Sequence, residues 1–293
     1  MHSDFVHLHC RSEYSLLNST ARIEGLVKRA LELKSPALAI TDSGNLFGAV
    51  EFYAEAMKQG VKPIIGMQTY VAPGSRFERQ THGIKEASFR LTLLAKDETG
   101  YKNLMKLSSI GYLEGFYYKP RVDKESLKKH SEGLIALSGD YKGEVPYYLL
   151  YDQPEDAKRA LQEYLEIFGK DNFYLEIMDH GLESDQKMIL ECAKLSKETG
   201  VKLVATHPVC YVTRDGAQAH DALICIGTGS KIEDTSRFRF QSDEYYMKST
   251  DEMKERFKAY PEAIKATIEI AEKCNVKLEF GKIHLPSYTP PAG

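Results

Sequence analysis

The sequence predicts an α/β fold in which about seven strand–helix units close into a barrel. Two observations carry this. Short apolar runs alternate with amphipathic, helix-like segments along most of the 293 residues, and a helix-sized crossover is what parallel strands need between them. About seven such units favour a barrel over an open sheet, although the alternation alone fits both.

The elements follow in order. Phe5–His9 and Ala37–Thr41 read as strands, with a helix over Ile23–Leu33 between them, where Ile23, Leu26, Val27, Ala30 and Leu31 share one face. A helix over Leu46–Met57 leads to a strand within Val61–Val71, and Arg90–Ala95 reads as the next. Leu134–Ser138, Phe173–Ile177 and Leu203–Thr206 continue the pattern as strands, and the alternation implies that they run parallel. Asp152 followed by Pro154 and Glu155 marks one helix start; Ser249-Thr250-Asp251-Glu252 fits a capping box at another. Residues 73–88, rich in charge and glycine, read as an exposed excursion. The barrel is expected to end near residue 212, with a helical extension over 213–280: a helix at Arg214–Ile226, a polar irregular stretch at Gly227–Tyr246, then two helices in Ser249–Cys274. Residues 281–293, with three prolines, read as a linker and imply a longer polypeptide.

Composition narrows the function. A net charge of -3 excludes a strongly basic, general nucleic-acid binder, so any contact with DNA is expected to be weak and local. No apolar run approaches a membrane span, and Met1–Phe5 lacks the basic and apolar regions of a signal peptide. Five scattered cysteines without a Cys-x-x-Cys fit a reducing cytoplasm. Dinucleotide and Walker-type glycine loops are absent from the sequence.

In strand–helix barrels reactive groups lie at the carboxyl ends of the strands. Those ends carry His9, Arg11 and Asn18; Thr41-Asp42-Ser43-Gly44-Asn45-Leu46-Phe47-Gly48; Gly66-Met67-Gln68; Phe89-Arg90-Leu91-Thr92; Leu137-Ser138-Gly139-Asp140; and Thr206-His207-Pro208-Val209-Cys210-Tyr211. From about residue 5 to about 280 these segments resemble the PHP (polymerase and histidinol phosphatase) domain, and more closely the PHP domains of bacterial DNA polymerase III alpha subunits. His7-Leu8-His9, the 41–48 loop, Lys62-Pro63-Ile64-Ile65-Gly66, Gly74-Ser75-Arg76-Phe77, Leu113-Glu114-Gly115-Phe116 and Asp179-His180-Gly181-Leu182 occur in the family's order.

The resemblance implies a distorted (β/α)7 TIM-like barrel. Active relatives hold three metal ions, zinc or manganese, on nine side chains and cleave phosphoester bonds. Carried over one by one, those positions fall on His9, Arg11, Asn18, Ser43, Gln68, Arg90, Asp140, Pro208 and Cys210. Only His9 keeps the family's residue. Asn18 and Gln68 keep a carboxylate's shape without its charge, and Pro208 offers no ligand. Arg11 and Arg90 stay protonated at any useful pH. A guanidinium ~4 Å from a divalent ion costs roughly 8 kcal/mol at an effective dielectric near ~20.

The resemblance therefore implies a PHP domain without catalysis, metal or cofactor. It would be a cytoplasmic scaffold that braces the palm and thumb of its parent DNA-directed DNA polymerase and docks the epsilon proofreading subunit. Arg11 or Arg90 is expected to pair with Asp140, with the amides of Asn18 and Gln68 completing the network. The rivals are a metal phosphoesterase or 3′–5′ exonuclease on a reduced site of His9, Asp140, His207 and Cys210, and a free-standing amidohydrolase-like enzyme.

Other residues read more simply. His7 packs beside the first motif, and His9 is a hydrogen-bonded cleft residue rather than half of a metal site. Asp42 and Asn45 fix their loop through backbone bonds. Lys124–His130 reads as a solvated helix face. Tyr117 and Tyr118 beside Lys119 and Arg121 would serve either to stack on nucleic acid or as an interface rim.

Overall fold

A computed structural model describes residues 2–283 and 285. The elements, in order, are α1 (Ile23–Glu32), β1 (Ala37–Ser43), α2 (Ala49–Gln59), β2 (Lys62–Val71), β3 (Phe89–Ala95), α3 (Glu98–Leu113), β4 (Arg121–Val122), α4 (Lys124–Lys129), β5 (Leu134–Leu137), α5 (Glu144–Leu150), α6 (Pro154–Phe168), β6 (Phe173–Ile177), α7 (Glu183–Thr199), β7 (Leu203–Ala205), α8 (Ala217–Thr228), α9 (Thr250–Arg256) and α10 (Pro261–Lys273). The expected linker lies mostly outside the described residues.

The sheet runs β1-β2-β3-β5-β6-β7, with the two-residue β4 paired to β2. The segment expected as a first strand, 5–9, is extended but makes no regular ladder. It joins the two ends of the sheet instead. The amides of Ala39 and Thr41 donate to the carbonyls of His7 and Cys10 on one side, and on the other Arg11 and Val209 exchange bonds through Val209 O and His9 O. Seven staves, six strands and this segment, thus enclose a barrel.

One expectation fails. β3 runs antiparallel to both β2 and β5, while β1-β2, β5-β6 and β6-β7 are parallel. The link from β2 to β3 holds no α-helix, only the 72–88 excursion, so the chain turns back at the end of β2 where it stands. Tyr70 near the end of β2 pairs with Arg90 near the start of β3. The reversal therefore delivers Arg90 to the same mouth as the carboxyl ends of the parallel strands. β2 and β3 also approach closely at Gly66, where an added Cβ would lie 2.5 Å from Leu93 O.

Alternation sorts each strand's side chains. Val6, Leu8, Ala37, Ala39, Ile64, Leu94, Ile135, Leu137, Tyr174 and Val204 form one buried cluster with Ala266, Ile270 and Ala271 of α10 and with Cys274 just after it. α10 lies across the amino ends of the parallel strands: Val6 N donates to Thr267 Oγ1, and Lys62 Nζ to the Ala271 carbonyl. The opposite strand faces pack under the helices, with α1 and α2 over Leu38 and Ile40. The capping box at α9 forms as the sequence indicates: Ser249 Oγ accepts from Glu252 N, and Ser249 N donates to Glu252 Oε2. At α6, Pro154 is the first helical residue, but the preceding residue is Gln153, which makes no side-chain cap.

Two surface readings change. Lys128 and Lys129 are exposed, but Lys124 turns toward Glu144 and Glu163. Arg121 is fully buried rather than at the surface, with its guanidinium 5.1 Å from the Tyr117 ring centroid. Its guanidinium donates to the carbonyls of Gly115, Ala87, Arg76 and Glu78, and so pins the 72–88 excursion to the barrel. Burial lowers its pKa, yet four backbone carbonyls accept from it there. Arg121→Met should leave these carbonyls without a donor and lower the unfolding free energy by about 3 kcal/mol, read by urea denaturation.

Candidate functional site

The barrel mouth holds a cavity of about 300 Å³. Arg11, Arg90, Asp140, Glu176, His180 and Pro208 line its floor and sides, and the stretch Phe238–Gln241 with Tyr245 borders it. The floor is a continuous polar network. His9 Nδ1 lies 2.9 Å from Glu176 Oε1, and its Nε2 lies 3.0 Å from Gln68 Nε2. This pattern uses Nδ1–H as donor and Nε2 as acceptor. Gln68 then turns its Oε1 to Arg11, whose Nη2 donates at 2.9 Å. An amide suits position 68 because it donates to the imidazole on one side and accepts from the guanidinium on the other. Arg11 Nη1 reaches Cys210 Sγ at 3.5 Å.

Glu176 is the residue that the sequence reading missed. Its Oε1 accepts from His9 and from Thr206 Oγ1, and its Oε2 from Gly139 N. Both His9 and Glu176 side chains are fully buried. The available signal was alternation: Tyr174 lies in the inner cluster while Phe173, Leu175 and Ile177 lie in the outer one, which leaves Glu176 facing the barrel axis. A charged residue at an inward position demands partners.

Arg90 pairs with Asp140, Nη1 to Oδ2 at 2.6 Å, and Asp140 Oδ1 accepts from the Lys142 amide. Burial opposes the charge on Asp140, but Arg90 and Arg11 outweigh it and hold the carboxyl well below the usual range. Arg90 is correspondingly held charged: burial works against its charge, and Asp140, Tyr70 and Tyr141 together outweigh that cost. Burial pushes the Cys210 thiol up, but Arg11 and His220 bring it down overall. Lys142 is lowered to about 8, first by burial and then by Arg90.

Several expected partners stand elsewhere. Asn18 is exposed, and its Nδ2 donates to Leu16 O, because the left-handed turn at Leu17 swings it away from the mouth. Ser43 is half-buried at the end of β1, where its amide donates to Ser15 Oγ. Arg11 pairs with Gln68 and Cys210, not with Asp140. His207 points to the Glu244 carbonyl and His180 stacks on Tyr245, 4.5 Å between rings. His7 is buried against the Lys248 carbonyl, and burial lowers its pKa to about 4. Asp42 accepts from Ser12 N, Ser12 Oγ and Ser15 Oγ, while Asn45 Nδ2 donates to the Tyr14 and Ser43 carbonyls, so both hold the first two mouth loops together.

These residues do not fit a metal cluster. Among the described residues, no three His, Cys, Asp or Glu side chains gather to hold an ion. His9, Asp140, His207 and Cys210 are each directed to a different partner. Both guanidinium groups lie on the mouth where a cation would have to sit.

The PHP domain model matches residues 7–180. The chain belongs to the PHP domain family. This PHP domain is 46% identical over 291 residues to the DNA polymerase III subunit alpha of Borreliella burgdorferi, covering 99% of the chain and 25% of that protein. It is 44% identical over 287 residues to the DNA polymerase III subunit alpha of Treponema pallidum, covering 98% of the chain and 24% of that protein. The chain thus spans about a quarter of the length of these relatives. A candidate metal-dependent phosphoesterase from Bifidobacterium adolescentis aligns structurally over 69% of this PHP domain and 86% of its own chain, with a TM-score of 0.45 and 12% identity.

Removing one partner of the Arg90–Asp140 pair should be costly, because it strands a buried charge. Arg90 keeps 20% of its side chain exposed, which places the cost of Asp140→Asn near the low end, about 3 kcal/mol at pH 7. The Asp140 pKa is lower folded than unfolded, so its stabilisation is complete above the ordinary value of 3.8 and is lost as pH falls toward the folded value. The deficit of the variant should therefore shrink below pH ~4; urea titrations at a series of pH values measure it.

Proposed function

We propose that this PHP domain performs no metal chemistry and serves as a structural scaffold within a cytoplasmic replicative DNA polymerase. One observation carries the reading: Arg90–Asp140 and the Arg11–Gln68–His9–Glu176 chain occupy the barrel mouth with paired charges and satisfied amides. A phosphoester-cleaving metal cluster needs ligand carboxylates and imidazoles in that space. Here the carboxylates are already bonded to protein donors. His9, Arg11, Asn18, Ser43, Gln68, Arg90, Asp140, Pro208 and Cys210 are on this account the remains of a metal site, and the domain binds no metal or cofactor.

The parent activity, template-directed DNA synthesis, would reside in the part of the polypeptide that the relatives carry beyond this quarter of their length. The domain would brace the palm and thumb there and offer a surface to the epsilon proofreading subunit, with DNA contacted only weakly. Among the described residues, no helix is long and apolar enough to cross a membrane.

Elemental analysis after gentle loading with zinc or manganese, run beside a 3′-labelled DNA degradation assay, tests the inactivity. The expected result is metal well below one equivalent and no metal-dependent cleavage; stoichiometric metal with cleavage would support an exonuclease instead. Titration calorimetry with purified epsilon tests the docking. Saturable heat at micromolar concentrations is expected, and no heat there would remove that partner while leaving the inactivity untouched.

A further inference from the structure

A second, smaller cavity of about 140 Å³ adjoins the mouth. Tyr147 and Tyr151 form one wall, with ring centroids 4.6 Å apart, and Tyr151 is 61% exposed. Tyr141 and Lys142 lie before this helix, and Lys85 and Arg90 come from the opposite side. The cations here exceed the acids. Arg90 is matched by Asp140, and Glu86, the acid lining the cavity, is engaged by Lys119. Among the described residues, Lys85 and Lys142 meet no carboxylate within ion-pair distance. The wall that carries Lys85 is also held in an unusual shape: Glu86 and Ala87 both adopt positive φ, at 57° and 50°. Arg121 Nη1, bonded to the Ala87 carbonyl, fixes that conformation from behind.

Unpaired ammonium groups facing an aromatic wall suit a planar ligand that carries negative charge. The volume admits one planar ring system, and a phosphate attached to it would lie at the rim, where Lys85 is exposed and Lys142 half-buried. We propose that this cleft binds a nucleotide phosphate, with its base against Tyr147 and Tyr151 and its phosphate between Lys85 and Lys142. A free nucleotide and the end of a single DNA strand present the same chemistry. The cleft shares Arg90 and Tyr141 with the mouth but includes none of His9, Arg11, Gln68 or Glu176.

Pyridoxal 5′-phosphate is a suitable probe, since it is a planar heterocycle with a phosphate and an aldehyde. A lysine amine adds to the aldehyde carbon, water leaves, and borohydride delivers hydride to the imine, which fixes the label. Peptide mapping of the whole chain should find Lys142 or Lys85 labelled at least about tenfold faster than exposed Lys128 and Lys129. Protection by both thymidine 5′-monophosphate and a 5′-phosphorylated oligothymidylate would indicate that a nucleotide suffices; protection by the oligonucleotide alone would indicate a strand end. Labelling that follows exposure alone and is blocked by neither would overturn the proposal. A K85M/K142M variant should bind fluorescent oligothymidylate about tenfold more weakly by anisotropy; unchanged affinity would also overturn it.

Discussion

Two arginines at the barrel mouth set the terms for the site around them. A guanidinium cannot lose its proton at accessible pH, so a buried one must find acceptors or weaken the fold. Arg90 finds Asp140, and Arg11 finds Gln68 and Cys210. Gln68 can accept from Arg11 because its amide also donates to His9, and His9 in turn donates to Glu176. Glu176 then ties in Gly139 and Thr206 from two other loops. One chain of directed bonds thus connects most strand ends of the mouth. Cross-bracing of that kind between strand ends is also what a cluster of bridged cations supplies.

The fold delivers these groups by a route that alternation alone does not foresee. Strand–helix repetition announced the barrel, and most strand positions follow from apolar runs. The reversal of β3 was not legible, because residues 72–88 carry no periodic pattern that fixes direction. The consequence for the site is small, since reversal exchanges the ends of the strand. Arg90 stands at the start of β3 and still faces the mouth, beside the ends of strands that run the other way.

The misses share a physical cause. Arg121 looked like a surface cation because its partners are backbone carbonyls, which leave no trace in side-chain identity. Glu176 was hidden in a five-residue strand, where one inward carboxylate is noticed only once the barrel axis is known. Asn18 matched the family's position in sequence, but the turn at Leu17 carries its amide outward. That Asp140 would pair with Arg11 or Arg90 was legible, because a buried guanidinium needs a carboxylate; that the partner is Arg90 follows only from the fold. α10 illustrates the remaining limit. Its helical pattern is plain, yet its role across the bottom of the barrel depends on Thr267 and the Ala271 carbonyl meeting Val6 and Lys62 far away in sequence.

Anomalous diffraction at the manganese and zinc edges, from crystals grown with each ion, tests most directly whether fixed positive charge has displaced the cations. The account predicts no anomalous peak inside the barrel mouth, with Arg11 on Gln68 and Arg90 on Asp140 in the same maps. Two or more bridged ions there, with both guanidinium groups turned away, would contradict it.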